Sequence, residues 1–266
     1  MAREIAPGIH WIQECGPDRS GFLDKESPPD WYERGRNVHI PQNVYLFNGK
    51  ESLIFDTLSP ASTEHLLEEV TDVLNGDDLD YVVVSHPDLP HAGNTMALLR
   101  QYPDATLVAP DYGSGHELYH LDEAMHVDED NTIDIGGYIF DFHEAYILDA
   151  PIHIWMTERN RNWLMPVDWF GFPHQDSECM KCVHELDHDI TVQRLVEFHG
   201  RVLFWYQYVD VDKMADLHQF LMRDFDPDGI LPGHGLPILK NTRKYMNMMD
   251  NVVVEIHNKG RVGTLG

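Results

Sequence analysis

The segment Ser85-His86-Pro87-Asp88-Leu89-Pro90-His91-Ala92-Gly93-Asn94 constrains this chain more than any other. It follows a short apolar run, Tyr81 to Val84, that reads as a buried strand, and it leads into Asn94 to Arg100, which reads as a helix ending before Tyr102-Pro103. Two imidazoles and a carboxylate on a loop held between a strand and a helix can converge on one or two metal ions. A polar surface loop has the same composition, so the segment needs company. Three further positions supply it. His153 interrupts the apolar run Ile152 to Met156, where a lone histidine is more often a satisfied core residue. Asp168 ends the apolar strand Trp163 to Val167, where an unpaired carboxylate is costly unless a cation compensates it. His234 stands between Gly233 and Gly235 directly after the strand Gly229 to Leu231, and glycine there permits a tight turn that aims the side chain.

The rest of the chain reads as a mixed α/β order. Ile9 to Gln13 is a strand, and Asn43 to Asp56 is a hairpin in which Asn48-Gly49 supplies the positive φ values of a tight turn. Leu66, Leu67, Val70, Val73 and Leu74 recur at helical spacing after Ser59-Pro60. Ala105 to Val108 is a strand, and Gly136-Gly137 turns a second hairpin. Strands follow at Tyr146 to Leu148, Ile152 to Met156 and Trp163 to Val167. Helices near Ile190 to Phe198 and Met214 to Arg223, the strand Gly229 to Leu231 and a terminal helix complete the order. Such an order predicts two sheets covered by helices rather than an all-parallel doubly wound fold. One domain spanning residues 1–266 is the simplest partition, with a long early loop at about residues 16–41.

Composition narrows the partners. With 45 acidic against 19 basic residues the formal charge is −26, which argues against nucleic acid, because a phosphate backbone needs a basic face. A salt-adapted source and an ordinary acidic enzyme are both compatible with that surface. No apolar run approaches the roughly 20 residues of a membrane helix, and Met1 to Pro7 lacks the apolar core of a secretory signal, so a cytoplasmic protein is expected. Cys15, Cys179 and Cys182 are too few for a disulfide scaffold. The Cys179-Met-Lys-Cys182 pair reads as a redox dithiol, as part of a zinc site completed by His174, His184 or His188, or as two ordinary loop cysteines. Trp155, Trp169, Phe170 and Phe172 are read as apolar packing around the inferred ligands, and His116, His120 and His126 as solvated or locally paired.

With these segments in order, the chain resembles the metallo-β-lactamase superfamily, and within it the β-lactamase-like diiron domain of flavodiiron proteins and the related oxygen-binding diiron proteins. Leu53-Ile-Phe-Asp56-Thr, the His86 loop, Ala145 to Gly171 and Leu231 to Pro237 carry the resemblance. It implies an α+β fold, an αββα sandwich of two mixed sheets packed face to face with helices outside. It also implies two metal ions, with His86, Asp88 and His153 on one, His91 and His234 on the other, and Asp168 bridging. The flavodiiron branch carries Glu where this chain has Asp88, and a second-site Asp where it has Pro90, so the second ion loses a ligand and binds more weakly. The donor set, all nitrogen and oxygen with a carboxylate in place of a histidine, favours iron over zinc or manganese.

Three functions follow from the resemblance. A diiron oxidoreductase or sensor would handle O2, NO or a peroxide. The residues after Pro237 leave no length for a flavodoxin-like module, so its electrons would come from a separate flavin or iron-sulfur protein. A metallo-hydrolase would attack an ester, thioester or lactone with metal-bound solvent held between the two sites. Pro90, which cannot orient that solvent, weighs against it. A metal-binding protein without turnover is the third reading. By similarity to flavodiiron proteins a homodimer is expected, and the substrate is a small molecule or diatomic gas.

Overall fold

The computed structural model describes residues 2–23, 26–110, 124–149 and 152–259. Its strands are β1 (Arg3–Ala6), β2 (Ile9–Glu14), β3 (Val38–His39), β4 (Gln42–Asn48), β5 (Ser52–Phe55), β6 (Tyr81–Val83), β7 (Thr106–Pro110) and β8 (Met125–Val127). They continue with β9 (Thr132–Asp134), β10 (Ile139–Glu144), β11 (Ile154–Glu158), β12 (Trp163–Val167), β13 (His174–Gln175) and β14 (Gly229–Pro232). The helices are α1 (Thr63–Leu74), α2 (Leu89–Ala92), α3 (Thr95–Gln101), α4 (Val192–Val202), α5 (Val211–Asp224) and α6 (Thr242–Lys259). They fall into two compact units, the first made of Met1–Glu14, Gln42–Tyr146 and Ala150–Asn160, the second of Cys15–Pro41, Ile147–Asp149 and Arg161–Gly266.

The first unit is built on a seven-stranded sheet in the order β1-β2-β4-β5-β6-β7-β8. Pairing is antiparallel from β1 to β5 and parallel from β5 to β8. Alternation along the strands sorts the side chains between two faces. Ile12, Val44, Leu46, Ile54 and Val82 pack in one cluster with Leu66, Val70 and Leu74 of α1 and Leu98 of α3. The other face meets the antiparallel β9-β10-β11 group, where Phe47 of β4 lies 4.8 Å from Phe140 of β10, ring centre to ring centre. α1 stops where Asn75 turns left-handed at φ 51, followed by Gly76 at φ 100, a common helix ending.

The two glycine turns differ. Gly136 and Gly137 both take positive φ, as the hairpin requires. Gly49 does not. Its turn is the three residues between Asn48 and Ser52, and glycine is needed because a Cβ there would stand 2.7 Å from the Ile135 carbonyl. The expected positive-φ Asn-Gly turn is therefore corrected to a turn of close approach. Tyr146 to Leu148, expected as a strand, is irregular, and β11 begins two residues later than expected.

In the second unit β12 and β14 pair in parallel, Trp163 opposite Gly229 and Val167 opposite Pro232, and β3 pairs with β13. α4 is capped by Thr191, whose side chain accepts from the Arg194 N–H, and α5 by Asp210, which accepts from the N–H groups of Asp212 and Lys213. Residues 16–41, expected as a loop, carry a 3-10 turn at Ser20–Phe22 and β3. Among the described residues no helix is long and apolar enough to cross a membrane.

Candidate metal centre

Three buried imidazoles converge in the first unit. His86, His91 and His153 are each at most 2% exposed. The His86 ring lies 4.2 Å from that of His91 and 4.4 Å from that of His153, nearly parallel to the latter. His86 follows the end of β6, His91 lies on α2, and His153 immediately precedes β11. The Ile154 N–H donates to the Ser85 carbonyl at 3.0 Å, which ties the start of β11 to the His86 loop.

Asp56, just past β5, orients this cluster. It is 1% exposed and sits at φ 65, an uncommon conformation for a residue with a Cβ. Its Oδ1 accepts from the Ser85 N–H at 2.9 Å, and its Oδ2 faces His91 Nδ1 at 2.7 Å. A carboxylate facing Nδ1 fixes the proton there, so His91 presents the Nε2 lone pair. His86 Nδ1 lies 3.1 Å from Ser85 Oγ. The loop carrying Asp56 is clamped by Asn94, whose amide donates to the carbonyls of Thr57, Leu58 and Ser59 at 2.8, 3.1 and 2.8 Å. Thr57 Oγ1 in turn donates to the His91 carbonyl at 2.8 Å.

The second unit holds the other expected ligands together. Asp168 is 2% exposed, with Oδ1 3.4 Å from His234 Nε2. His234 Nδ1 donates to the Pro41 carbonyl at 2.6 Å, so here too Nε2 is the ring atom left for an electrophile. The turn bearing His234 is closed by the reciprocal bonds between Ile230 and Ile238 at 2.8 and 2.9 Å. Gly235 takes φ 123, and a Cβ on it would stand 2.9 Å from the Phe172 ring, which accounts for the glycine. Val167, just before Asp168, sits at φ 56, a strained conformation for a β-branched residue.

His199 on α4, which no sequence signal singled out, holds the turn after Asp168. It is fully buried, donates from Nδ1 to the Leu195 carbonyl at 2.8 Å and accepts at Nε2 from the Phe170 N–H at 3.2 Å. Burial lowers its pKa to about 4, so it is neutral. His218 has a related place, with Nδ1 2.6 Å from Asp250 Oδ1 and its ring stacked 5.8 Å from Trp169. Trp155, Trp169, Phe170 and Phe172 are all buried, as core packing requires.

Other expected positions fall elsewhere. Asp88 is exposed at the N-terminus of α2, whereas Asp149, four residues before His153, has a buried Oδ1. Pro90 occupies the first turn of α2, where its fixed φ suits a helix start. Cys179 meets a sulfur from a distant part of the chain. Its sulfur lies 2.8 Å from that of Cys15 and 3.3 Å from His174 Nε2, while Cys182 is buried at the start of the next 3-10 turn and its N–H donates to Glu185. The sequence left a redox dithiol, a zinc site and two loop cysteines open for this segment, and the structure adds Cys15 as a neighbour of Cys179. His184 is exposed, and His188 pairs with Glu178 at 2.9 Å. His126 Nδ1 lies 3.3 Å from the Pro110 carbonyl, and His116 and His120 fall outside the described residues.

The donor set fits a metal centre. Buried imidazoles whose Nδ1 is already engaged, with a buried carboxylate as neighbour, are the arrangement that metal-ligating histidines use. Residues 39–160 match the family model for the metallo-beta-lactamase superfamily. Over that stretch, somewhat under half of the chain, the sequence resembles the metallo-β-lactamase superfamily. The whole chain is similar in fold to solved structures that include flavodiiron proteins. It covers 97% of itself and 61% of rubredoxin oxygen:oxidoreductase from Desulfovibrio gigas, with a TM-score of 0.70 at 19% identity. Against the flavodiiron protein of Giardia intestinalis the TM-score is 0.72 at 18% identity, over 96% of this chain and 58% of the other. The anaerobic nitric oxide reductase flavorubredoxin of Salmonella arizonae is 23% identical over 241 residues, 89% of this chain and 48% of that protein. The chain thus spans about half the length of such relatives.

Proposed function

We propose that this protein is a non-haem metalloprotein with a two-metal, iron-type centre that reduces or senses O2, NO or a peroxide, taking electrons from a separate flavin or iron-sulfur partner. His86 and His153 would hold one ion, His91 and His234 the other, and Asp168 would bridge them. The burial of its Oδ1 supports Asp149 as the carboxylate on the first ion, in place of the exposed Asp88. Iron bound there would supply one-electron chemistry. The residues of the chain supply the rest. Asp56 and the Pro41 carbonyl keep a proton on the Nδ1 atoms of His91 and His234, which raises the basicity of the Nε2 atoms. Pro90 gives the second ion no donor, so that ion is the weaker bound.

The observation that carries this reading is the orientation of His91 by Asp56, a buried carboxylate that also holds the backbone just before His86. The relatives favour redox over hydrolysis, since the names of the flavorubredoxin and of the Desulfovibrio protein specify nitric oxide reductase and oxygen oxidoreductase. Protein purified without added metal, analysed for metal and followed by visible spectroscopy through reduction and exposure to O2 or NO, tests it. Iron near two equivalents with a gas-dependent absorption change is expected. Colourless protein carrying zinc and turning over an ester would overturn the reading in favour of a hydrolase.

A further inference from the structure

Cys15, Cys179 and His174 form a second cluster of nucleophilic and ligating groups, contained in the second unit. Both sulfurs are half-buried, and the His174 ring is fully buried. Cys179 is held in place from behind. It caps the 3-10 turn Asp176–Glu178, whose Glu178 accepts from the Gln175 N–H at 2.8 Å and from the buried Arg194 guanidinium at 2.5 Å. That guanidinium lies 4.5 Å from the Trp31 ring centre.

Two chemistries compete for such a cluster, and the sulfur separation decides between them. Two thiolates on one tetrahedral zinc, with Zn–S bonds of about 2.3 Å, stand roughly 3.8 Å apart. The observed 2.8 Å between Cys15 and Cys179 is a full ångström short of that and about 0.8 Å longer than an S–S bond, so a small approach of the two sulfurs would form one. We infer that Cys15 and Cys179 are a reversible dithiol–disulfide pair, oxidised by hydrogen peroxide and reduced by a small dithiol. In the first step the Cys179 sulfur attacks one peroxide oxygen. The O–O bond breaks, the thiol proton leaves with the other oxygen as water, and Cys179 becomes a sulfenic acid. The Cys15 sulfur then attacks the Cys179 sulfur. The S–O bond breaks, hydroxide leaves with the Cys15 proton as a second water, and the S–S bond forms. Two thiols lose two electrons in total, and one peroxide gains them.

Neighbouring groups suit Cys179 to the first step. The hydrogen bond from Cys15 lowers its thiol pKa. His174, held neutral by burial with a pKa of about 3, places Nε2 3.3 Å from the Cys179 sulfur and 3.7 Å from that of Cys15. The bond would join residues 164 apart in sequence and so remove much freedom from the unfolded chain.

The test is to treat the reduced full chain with hydrogen peroxide, block remaining thiols with iodoacetamide, and map peptides by mass spectrometry. A Cys15–Cys179 cross-link with only Cys182 alkylated is expected, unchanged in Cys182→Ser and reversed by dithiothreitol. The melting temperature should rise by roughly 5 to 15 °C on oxidation. In Cys15→Ser, Cys179 should instead accumulate as sulfenic acid captured by dimedone. A Cys179–Cys182 cross-link, over-oxidation of Cys179 without any cross-link, or one equivalent of zinc lost on Cys15→Ser would each overturn the inference.

Discussion

The buried histidines proposed as metal ligands and the buried histidine beside Cys179 differ in one respect. Around His86, His91 and His234 every Nδ1 is engaged by an oxygen, from Ser85, Asp56 and Pro41 respectively. At His174, Nδ1 is buried with no hydrogen-bond partner among the described residues, and only Nε2 has neighbours, both of them sulfur. Engaging Nδ1 fixes the tautomer and the ring angle, which a metal ion needs and thiol oxidation does not. The first arrangement suits a cation, and the second suits two sulfurs.

The largest effect should come from deleting imidazoles proposed as metal ligands. His153→Ala and His234→Ala are each expected to lose about one equivalent of metal, from different sites, whereas Cys15→Ser should leave iron content unchanged. Metal analysis by mass spectrometry checks this, and unchanged content in both histidine variants would break the comparison at its root. Next in size is Asp56→Asn, which makes His91 resemble His174 by removing the carboxylate that holds its proton. Affinity at the His91 site should fall by roughly 10- to 100-fold, measured by chelator competition. A wild-type affinity would mean that the Asp56 contact is packing only.

How much of this could be read in the sequence depended on distance along the chain. The His86 loop, Asp168 and His234 were legible because each follows an apolar strand, and a polar, ligand-type residue just beyond such a strand is conspicuous. The fold was legible mainly through the order of these segments. The partnership of Cys15 with Cys179 was not, because nothing in local spacing points across 164 residues. His199 was equally hidden: it sits mid-helix among ordinary residues, and its role exists only once α4 lies beside the turn after Asp168. Gly49 misled for a related reason, since the Asn-Gly pair signals a local conformation while the actual constraint is a carbonyl from Ile135.

Asn94 offers a gentler perturbation of the oriented cluster. Asn94→Ala removes the donor from three carbonyls at once without touching a ligand or Asp56. The expected loss is about 2 kcal/mol of stability, a fall of roughly 4 to 8 °C in melting temperature for a chain of this size, with a smaller loss of metal affinity. Calorimetry of the metal-free and loaded forms separates the two. A loss confined to the loaded form would place Asn94 in metal binding rather than in the platform that supports it.

The smallest effect concerns acid. His199 and His174 are both held neutral by burial, with pKa values lowered to about 4 and about 3 from 6.5. For each, the unfolded chain binds a proton that the folded chain does not, so stability rises with pH and is lost as pH falls through 6.5 towards the folded value. Between pH 7 and pH 6 only the unfolded state gains protons appreciably, which amounts to about 0.7 kcal/mol per histidine. His199→Asn keeps a polar group near the Leu195 carbonyl but removes the titration. Urea unfolding of metal-free protein at the two pH values should therefore show a difference smaller by about that amount in the variant. The same substitution at His174 should give a similar reduction, although its Nδ1 is unengaged where both nitrogens of His199 are bonded, because desolvation is the main cause in each case. Equal pH dependence in wild type and both variants would mean that neither ring is held neutral in the folded state.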